Sequence, residues 1–169
     1  FRKKENDTRG SFSIYVEKEF ILKINHELIK EEQVQMVALD GFIHIKSKTL
    51  DTEVQRTFFA ASDAPAFITK IQISNHSPFE QKIEFHTPSC LFQEKPQNCD
   101  QDRPYQILSQ ICFDTFDSKI ENEMVQLILK PKQGICLYHV IACRYLDEQY
   151  TFSCAEQENK RLLFLNQMQ

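Results

Sequence analysis

Apolar and polar residues alternate along most of this chain, which is the period of a β-strand with one buried face. In the segment SFSIYV, Phe12, Ile14 and Val16 lie on one face and the serines on the other. Asp40-Gly41 separates two apolar-rich runs and predicts a two-residue hairpin, because glycine tolerates the positive φ of a type I′ turn. The whole pattern predicts about ten strands and almost no helix, so we expect an all-β fold, an antiparallel two-sheet β-sandwich.

The most regular stretch runs from Gln55 to Phe85. Two strand-like segments flank a Ser-Asp-Ala-Pro break, and the second ends in Asn-His-Ser-Pro before a third strand begins. The last two strands each send alternate residues to one face, namely Phe67, Thr69, Ile71 and Ile73, then Phe79, Gln81, Ile83 and Phe85. We predict that these two strands form an antiparallel hairpin with one solvated face.

A chain of 169 residues is long enough for one domain with a substantial core. We expect a flexible N-terminal extension over residues 1–10, because it is dense in charge, and a β-sandwich domain over 11–155. Residues 156–169 have helix-forming composition and remain open as a short helix, a last strand or a linker. The chain begins with Phe, so we expect a removed leader or a piece of a longer protein.

Charge and hydropathy argue against nucleic acid and membrane as partners. The net charge is −4, and the 20 Lys and Arg are scattered, so we expect no nucleic-acid binding. No apolar run approaches the length of a membrane helix, so we expect no membrane association. A cytoplasmic location is the first expectation. Six cysteines and the sequons at Asn6 and Asn75 keep secretion open as the alternative.

The cysteines and histidines do not form a recognisable metal motif. No Cys-x-x-Cys or His-Glu-x-x-His occurs, so we expect no metal and no cofactor. We expect reduced cysteines with structural roles, and Cys90 with Cys99 is the pair best suited to a disulfide. The six cysteines are Cys90, Cys99, Cys112, Cys136, Cys143 and Cys154.

Cys136 and His139 are the pair that comes closest to a nucleophile and a base. Their three-residue spacing on one predicted strand directs them to opposite faces, so a catalytic dyad is not expected. A histidine within a strand is expected to be a hydrogen-bonded structural residue. No pair of carboxylates stands apart from the solvated faces of strands, and we therefore name no catalytic residue.

One phrase carries a family resemblance. Arg56, Phe58, Phe59, Asp63, Pro65, Ile71, Ile73 and Asn75 fit the pattern R-x-F/L-F-x-S-x-D-x-P, followed by I-x-I-x-N, with Ser62 one place after the serine of the pattern. This phrase resembles the N-terminal β-supersandwich domain of carbohydrate enzymes with an (α/α)6 barrel, such as α-L-rhamnosidase-like hydrolases and disaccharide phosphorylases. The later LILKPKQGICLYHVIAC is similar to a recurrent ending of such domains. The best match covers about thirty residues.

The resemblance implies a non-catalytic domain that packs on a catalytic barrel and shapes its active-site rim or a dimer interface. Its partners would be the catalytic domain of the same polypeptide, a carbohydrate, or a second copy of the chain. Arg56, Asp63, Pro65 and Asn75 are expected to be structural turn residues, because Asp, Pro and Asn suit tight connections.

Two other interpretations remain. The chain can be a stand-alone immunoglobulin-like or MSP-like sandwich that binds a protein through a sheet edge or face. It can also be a secreted domain with three disulfides.

Overall fold

The computed structural model describes residues 14–16, 21–25, 27–28, 35–39, 42–48, 51–86, 90–92, 105–120 and 124–168. These form fourteen strands and one helix. The strands are β1 (Ile14–Val16), β2 (Ile21–Ile24), β3 (Glu27–Leu28), β4 (Gln35–Leu39), β5 (Phe42–Lys48), β6 (Thr52–Ala60), β7 (Ala66–Asn75), β8 (Gln81–His86), β9 (Cys90–Phe92), β10 (Tyr105–Cys112), β11 (Thr115–Asp117), β12 (Met124–Leu129), β13 (Gly134–Tyr145) and β14 (Thr151–Ser153). The helix is α1 (Cys154–Met168).

The largest layer is a six-stranded antiparallel sheet in the order β10-β13-β7-β6-β5-β4. Its centre consists of the long strands β13, β7 and β6, which are rich in β-branched and aromatic residues. The register of β4 and β5 pairs Leu39 with Phe42, so two residues connect these strands. The hairpin predicted from Asp40-Gly41 is therefore confirmed by its flanking strands.

The second layer is a four-stranded antiparallel sheet in the order β12-β8-β2-β3. Its inner face packs on the six-stranded sheet and completes the predicted sandwich. Eight buried residues form this sandwich core: Val54, Ile71, Ile73, Ile83, Phe85, Ile111, Leu129 and Leu137. The Thr52 hydroxyl donates a 2.8 Å hydrogen bond to Gln81 Oε1 between the layers, so this buried polar pair is satisfied. The all-β sandwich expectation is confirmed.

The opposite face of the six-stranded sheet has a second core. Phe59, Ile68, Tyr138 and Val140 of the sheet meet Phe116 of β11 and Cys154 at the start of α1. Strands β11 and β14 pair with each other, and the rings of Phe116 and Phe152 stack with centroids 4.9 Å apart. The central sheet is thus covered on both faces, by the second sheet and by α1 with the two-stranded β11–β14 sheet.

The C-terminal segment forms a helix, which is one of the three alternatives that the sequence left open. Ser153 precedes α1, and its hydroxyl accepts a hydrogen bond from the Glu156 amide at 3.2 Å. The carboxylate of Asp114 accepts from the Ala155 amide at 2.9 Å. Both contacts satisfy amides that the first turn of a helix leaves without intrahelical partners. The helix therefore begins where its first amides find side-chain acceptors.

The predicted hairpin of β7 and β8 is wrong. Strand β7 pairs with β6 and β13, whereas β8 pairs with β12 and β2 in the other sheet. The turn at Asn75–Pro78 takes the chain from one layer to the next. Strand β7 also has buried residues on both faces, because Ile68 lies in one core and Ile71 in the other. Alternation alone does not distinguish a turn within a sheet from a turn between two sheets.

The expected N-terminal extension over residues 1–10 lies outside the described residues.

Candidate functional site

The connection between β6 and β7 contacts α1 through three side chains. The Ser62 amide donates a 2.9 Å hydrogen bond to Gln157 Oε1, and Gln157 Nε2 donates to the carboxylate of Asp63. Lys160 Nζ lies 2.9 Å from the other oxygen of Asp63. Gln157 is only 2% exposed, so both ends of its amide are satisfied in a buried position. We call this contact the α1 anchor, meaning Ser62, Asp63, Gln157 and Lys160.

The ionic part of the α1 anchor lies in solvent. Hydrogen bonds from Lys160 and Gln157 lower the pKa of Asp63. Hydrogen bonds to Asp63 and Glu156 raise the pKa of Lys160. Both shifts favour the charged forms, but exposed pairs are screened by water and salt. The buried amide of Gln157 therefore holds the helix more firmly than the Asp63–Lys160 ion pair.

A second ion pair fixes α1 over the middle of the sheet. Lys70 of β7 lies 3.1 Å from Glu158, and both side chains are about one-fifth exposed, at 21% and 18%. The Lys70–Glu158 ion pair therefore adds to the α1 anchor, since Glu158 directly follows Gln157 in the helix.

Arg56 and Pro65 of the family-like phrase also occupy positions within the β-sheet framework. Arg56 is half-buried on β6, and its backbone lies opposite Ile71 in the antiparallel register of β6 and β7. The Pro65 carbonyl accepts a 2.9 Å hydrogen bond from the Cys143 amide of β13.

Asn75 organises the corner between the two sheets. Its side-chain oxygen accepts from the Ser77 amide at 2.8 Å, while its amide donates to the carbonyls of Phe79 at 2.9 Å and Leu129 at 3.1 Å. Asn75 is 1% exposed. A glycan on this nitrogen would require the corner to open, so the Asn75 sequon is blocked in the folded chain. The Asn6 sequon lies outside the described residues.

Two thiols lie close together beside the start of α1, that of the buried Cys154 and that of the half-buried Cys112. Cys112 Sγ and Cys154 Sγ are 4.0 Å apart, without a disulfide. The hydrogen bond to Cys112, together with burial, raises the pKa of the Cys154 thiol well above its ordinary value. Burial also raises the pKa of Cys136. Such thiols are poor nucleophiles because the reactive thiolate is disfavoured.

The free thiols give a direct test of the cysteine state. Four cysteines are free thiols: Cys112, Cys136, Cys143 and Cys154. The side chains of Cys90 and Cys99 lie outside the described part of the chain. We expect a thiol reagent added to the denatured, unreduced protein to detect these four thiols. The Cys112→Ser variant should lose one of them. A count below four would contradict the reduced structure.

His139 is the other buried ionisable group. Its Nε2 lies 2.8 Å from the Ser109 hydroxyl, and the residue is 6% exposed. Cys136 belongs to the core beneath α1, while His139 lies on the opposite face of β13, as the three-residue spacing predicts. The expected separation of these residues is confirmed. The 2.8 Å contact with Ser109 gives His139 the geometry of a satisfied buried histidine.

We expect His139 to make the fold sensitive to mild acid. Burial lowers the pKa of His139 to about 4, so the unfolded chain binds a proton between about pH 6.5 and pH 4 that the folded chain does not. Stability should therefore fall as the pH falls through this window, by about 2 kcal/mol between pH 7.5 and pH 5. Urea unfolding at both pH values measures the change.

The matched variant is His139→Gln, which has no titrating imidazole. Its deficit in unfolding free energy relative to wild type should shrink by about 2 kcal/mol between pH 7.5 and pH 5. A deficit that does not change with pH would contradict a buried neutral histidine.

The described residues contain no group of three or more His, Cys, Asp or Glu that could hold a metal ion. Within these residues, no helix is long and apolar enough to cross a membrane. The sequence prediction missed Gln157 and Lys160. The Ser-x-x-Glu capping pattern at Ser153 and Glu156 would have indicated where α1 begins.

The comparisons with known proteins give no family assignment. The chain matches no protein-family model and no curated protein.

Proposed function

We propose that this chain is a non-catalytic β-sandwich domain of a larger carbohydrate-active enzyme. It would pack on a catalytic barrel of the same polypeptide and shape the rim of the active site or a dimer interface. The α1 anchor carries the proposal, because Ser62 and Asp63 of the family-like phrase hold the C-terminal helix. The phrase thus supports a rigid helix on the surface of the sandwich.

The engagement of the other phrase residues also favours a supporting role. Asn75 uses its side-chain oxygen and nitrogen within the corner, and Gln157 occupies one oxygen of Asp63. Groups held in this way are positioned for folding and have little remaining capacity for a substrate. The catalytic acid and base would lie in the neighbouring domain, where two carboxyl groups can face one glycosidic bond.

The experiment compares the protein from the complete reading frame with the 169-residue chain. Both are assayed for hydrolysis and phosphorolysis of a panel of aryl glycosides and disaccharides. We expect activity in the complete protein and none in the 169-residue chain. A reading frame without a helical catalytic domain, or a complete protein inactive on every glycoside, would contradict the proposal.

The edge of the four-stranded sheet favours a second function, a stand-alone immunoglobulin-like or MSP-like interaction domain. Strand β12 ends the described order of that sheet, and Met124 and Ile128 on it are 51% and 64% exposed. An exposed apolar edge can receive a strand from another protein. In that case, wild-type protein should capture a protein partner that the Ile128→Lys variant loses, and a glycan array should remain blank.

A further inference from the structure

An open groove lies between the β6–β7 connection and the outer side of α1. Ala61 and Ser62 line one wall, and Lys160, Arg161, Leu163 and Gln167 line the other. Its volume is about 470 Å³. We call it the α1 groove. It adjoins the α1 anchor, because Ser62 and Lys160 belong to both, so the anchor holds its two walls together.

The two basic residues of the α1 groove differ in their partners. Lys160 is neutralised by Asp63 at 2.9 Å and by Glu156 at 3.0 Å. Arg161 has no hydrogen bond or ion pair with any described residue, and its Nε is shielded from solvent without an acceptor. A carboxylate would supply two acceptors to the planar guanidinium of Arg161. The groove therefore has an unmatched positive charge.

The same wall contains an apolar side chain. Leu163 is 61% exposed and lines the groove two residues after Arg161. A leucine this exposed gains free energy when a partner covers it. A free phosphate or sulfate would satisfy Arg161 and leave Leu163 in water. A protein segment with a carboxylate next to an apolar side chain would match both residues.

We propose that the α1 groove docks an acidic segment of the neighbouring domain of the same polypeptide. Arg161 would pair with an Asp or Glu carboxylate of that segment, and Leu163 would pack on the apolar residue beside it. This inference rests on the proposed function, since it takes the occupant from the domain proposed there. It specifies which surface of the sandwich faces that domain and which charge the partner presents.

Hydrogen–deuterium exchange of residues 154–168, followed by mass spectrometry, tests the docking. The complete polypeptide is compared with the 169-residue chain, and we expect slower exchange of this helix in the complete polypeptide. Arg161→Glu should reduce that protection at least about tenfold, because repulsion then replaces a charge-assisted pair. Arg161→Gln, which removes the charge without repulsion, should give a smaller loss in the same direction.

Lys130→Glu provides the matched control. Lys130 is exposed in the β12–β13 turn, at the Asn75 end of β7 and away from the β6–β7 connection. It changes the net charge as Arg161→Glu does, and helix protection should remain at the wild-type level. Unchanged melting of the 169-residue variants would establish that they fold.

The experiment distinguishes a failure of the docking proposal from a failure of the proposed function. If the complete polypeptide has glycoside activity but α1 exchanges as fast as in the 169-residue chain, the docking proposal is wrong and the proposed function stands. The docking proposal also fails if Lys130→Glu lowers the helix protection as much as Arg161→Glu does. If no neighbouring domain exists, both proposals are wrong.

Discussion

Replacing Asn75 with Ala is expected to lower the free energy of unfolding by about 3 kcal/mol, because it leaves buried backbone groups without partners. The Ser77 amide loses its acceptor, and the Leu129 carbonyl loses its side-chain donor. Both hydrogen bonds are buried; the first closes the corner after β7, and the second connects this corner to the end of β12. Urea unfolding followed by circular dichroism measures the change.

Two further variants identify the cause. Asn75→Asp keeps an acceptor for Ser77 but directs an oxygen at the carbonyls of Phe79 and Leu129, so it should destabilise at least as much as Asn75→Ala. Gln72→Ala changes an exposed residue of the same strand and should stay within about 0.5 kcal/mol of wild type. A neutral Asn75→Asp would show that the amide donor does not hold the corner.

Replacing Phe85 with Ala is expected to have the largest effect, a loss of about 4 kcal/mol in unfolding free energy, because it opens a cavity between the sheets. Phe85 is 0% exposed and lies in the sandwich core with Ile71, Ile83 and Leu137. The rigid sheets on either side can collapse only partly into the space. Denaturant unfolding of the 169-residue chain measures the loss.

Phe79→Ala is the control for the Phe85 variant. Phe79 belongs to the same chain segment, but it is 74% exposed in the turn before β8. Its removal should change the unfolding free energy by no more than about 0.5 kcal/mol. Similar losses for the two phenylalanines would contradict the position of the core between the sheets.

The fold class was readable from the sequence because strand alternation depends on local burial. The hairpin at Asp40-Gly41 was readable for a related reason, since the turn itself demands a particular residue type. The sequence did not predict to which sheet the chain passes after β7. Asn75 and Pro78 suit a turn within a sheet and a turn between sheets equally well. Ile68, buried on the face opposite Ile71, was the local sign that β7 lies between two cores.

The α1 anchor was only partly predictable. Asp63 was selected as a residue of a tight connection, and it does lie between β6 and β7. Its partner Gln157 is 94 residues away along the chain, a contact that no local pattern specifies. Predicting it requires the position of α1 on the sheet, which follows from the second core around Phe59 and Val140. Long-range packing therefore determines which polar residues meet.

Amide hydrogen exchange of the Gln157→Ala variant tests the central structural claim, that the β6–β7 connection holds α1 on the sandwich. The variant leaves the Ser62 amide and a carboxylate oxygen of Asp63 without their buried partner. We expect the amides of α1 to exchange at least about tenfold faster, through local opening of the helix, while those at the centre of β7 and β13 keep most of their protection. Unchanged exchange in α1, or an equal increase in the helix and both strands, would contradict this account.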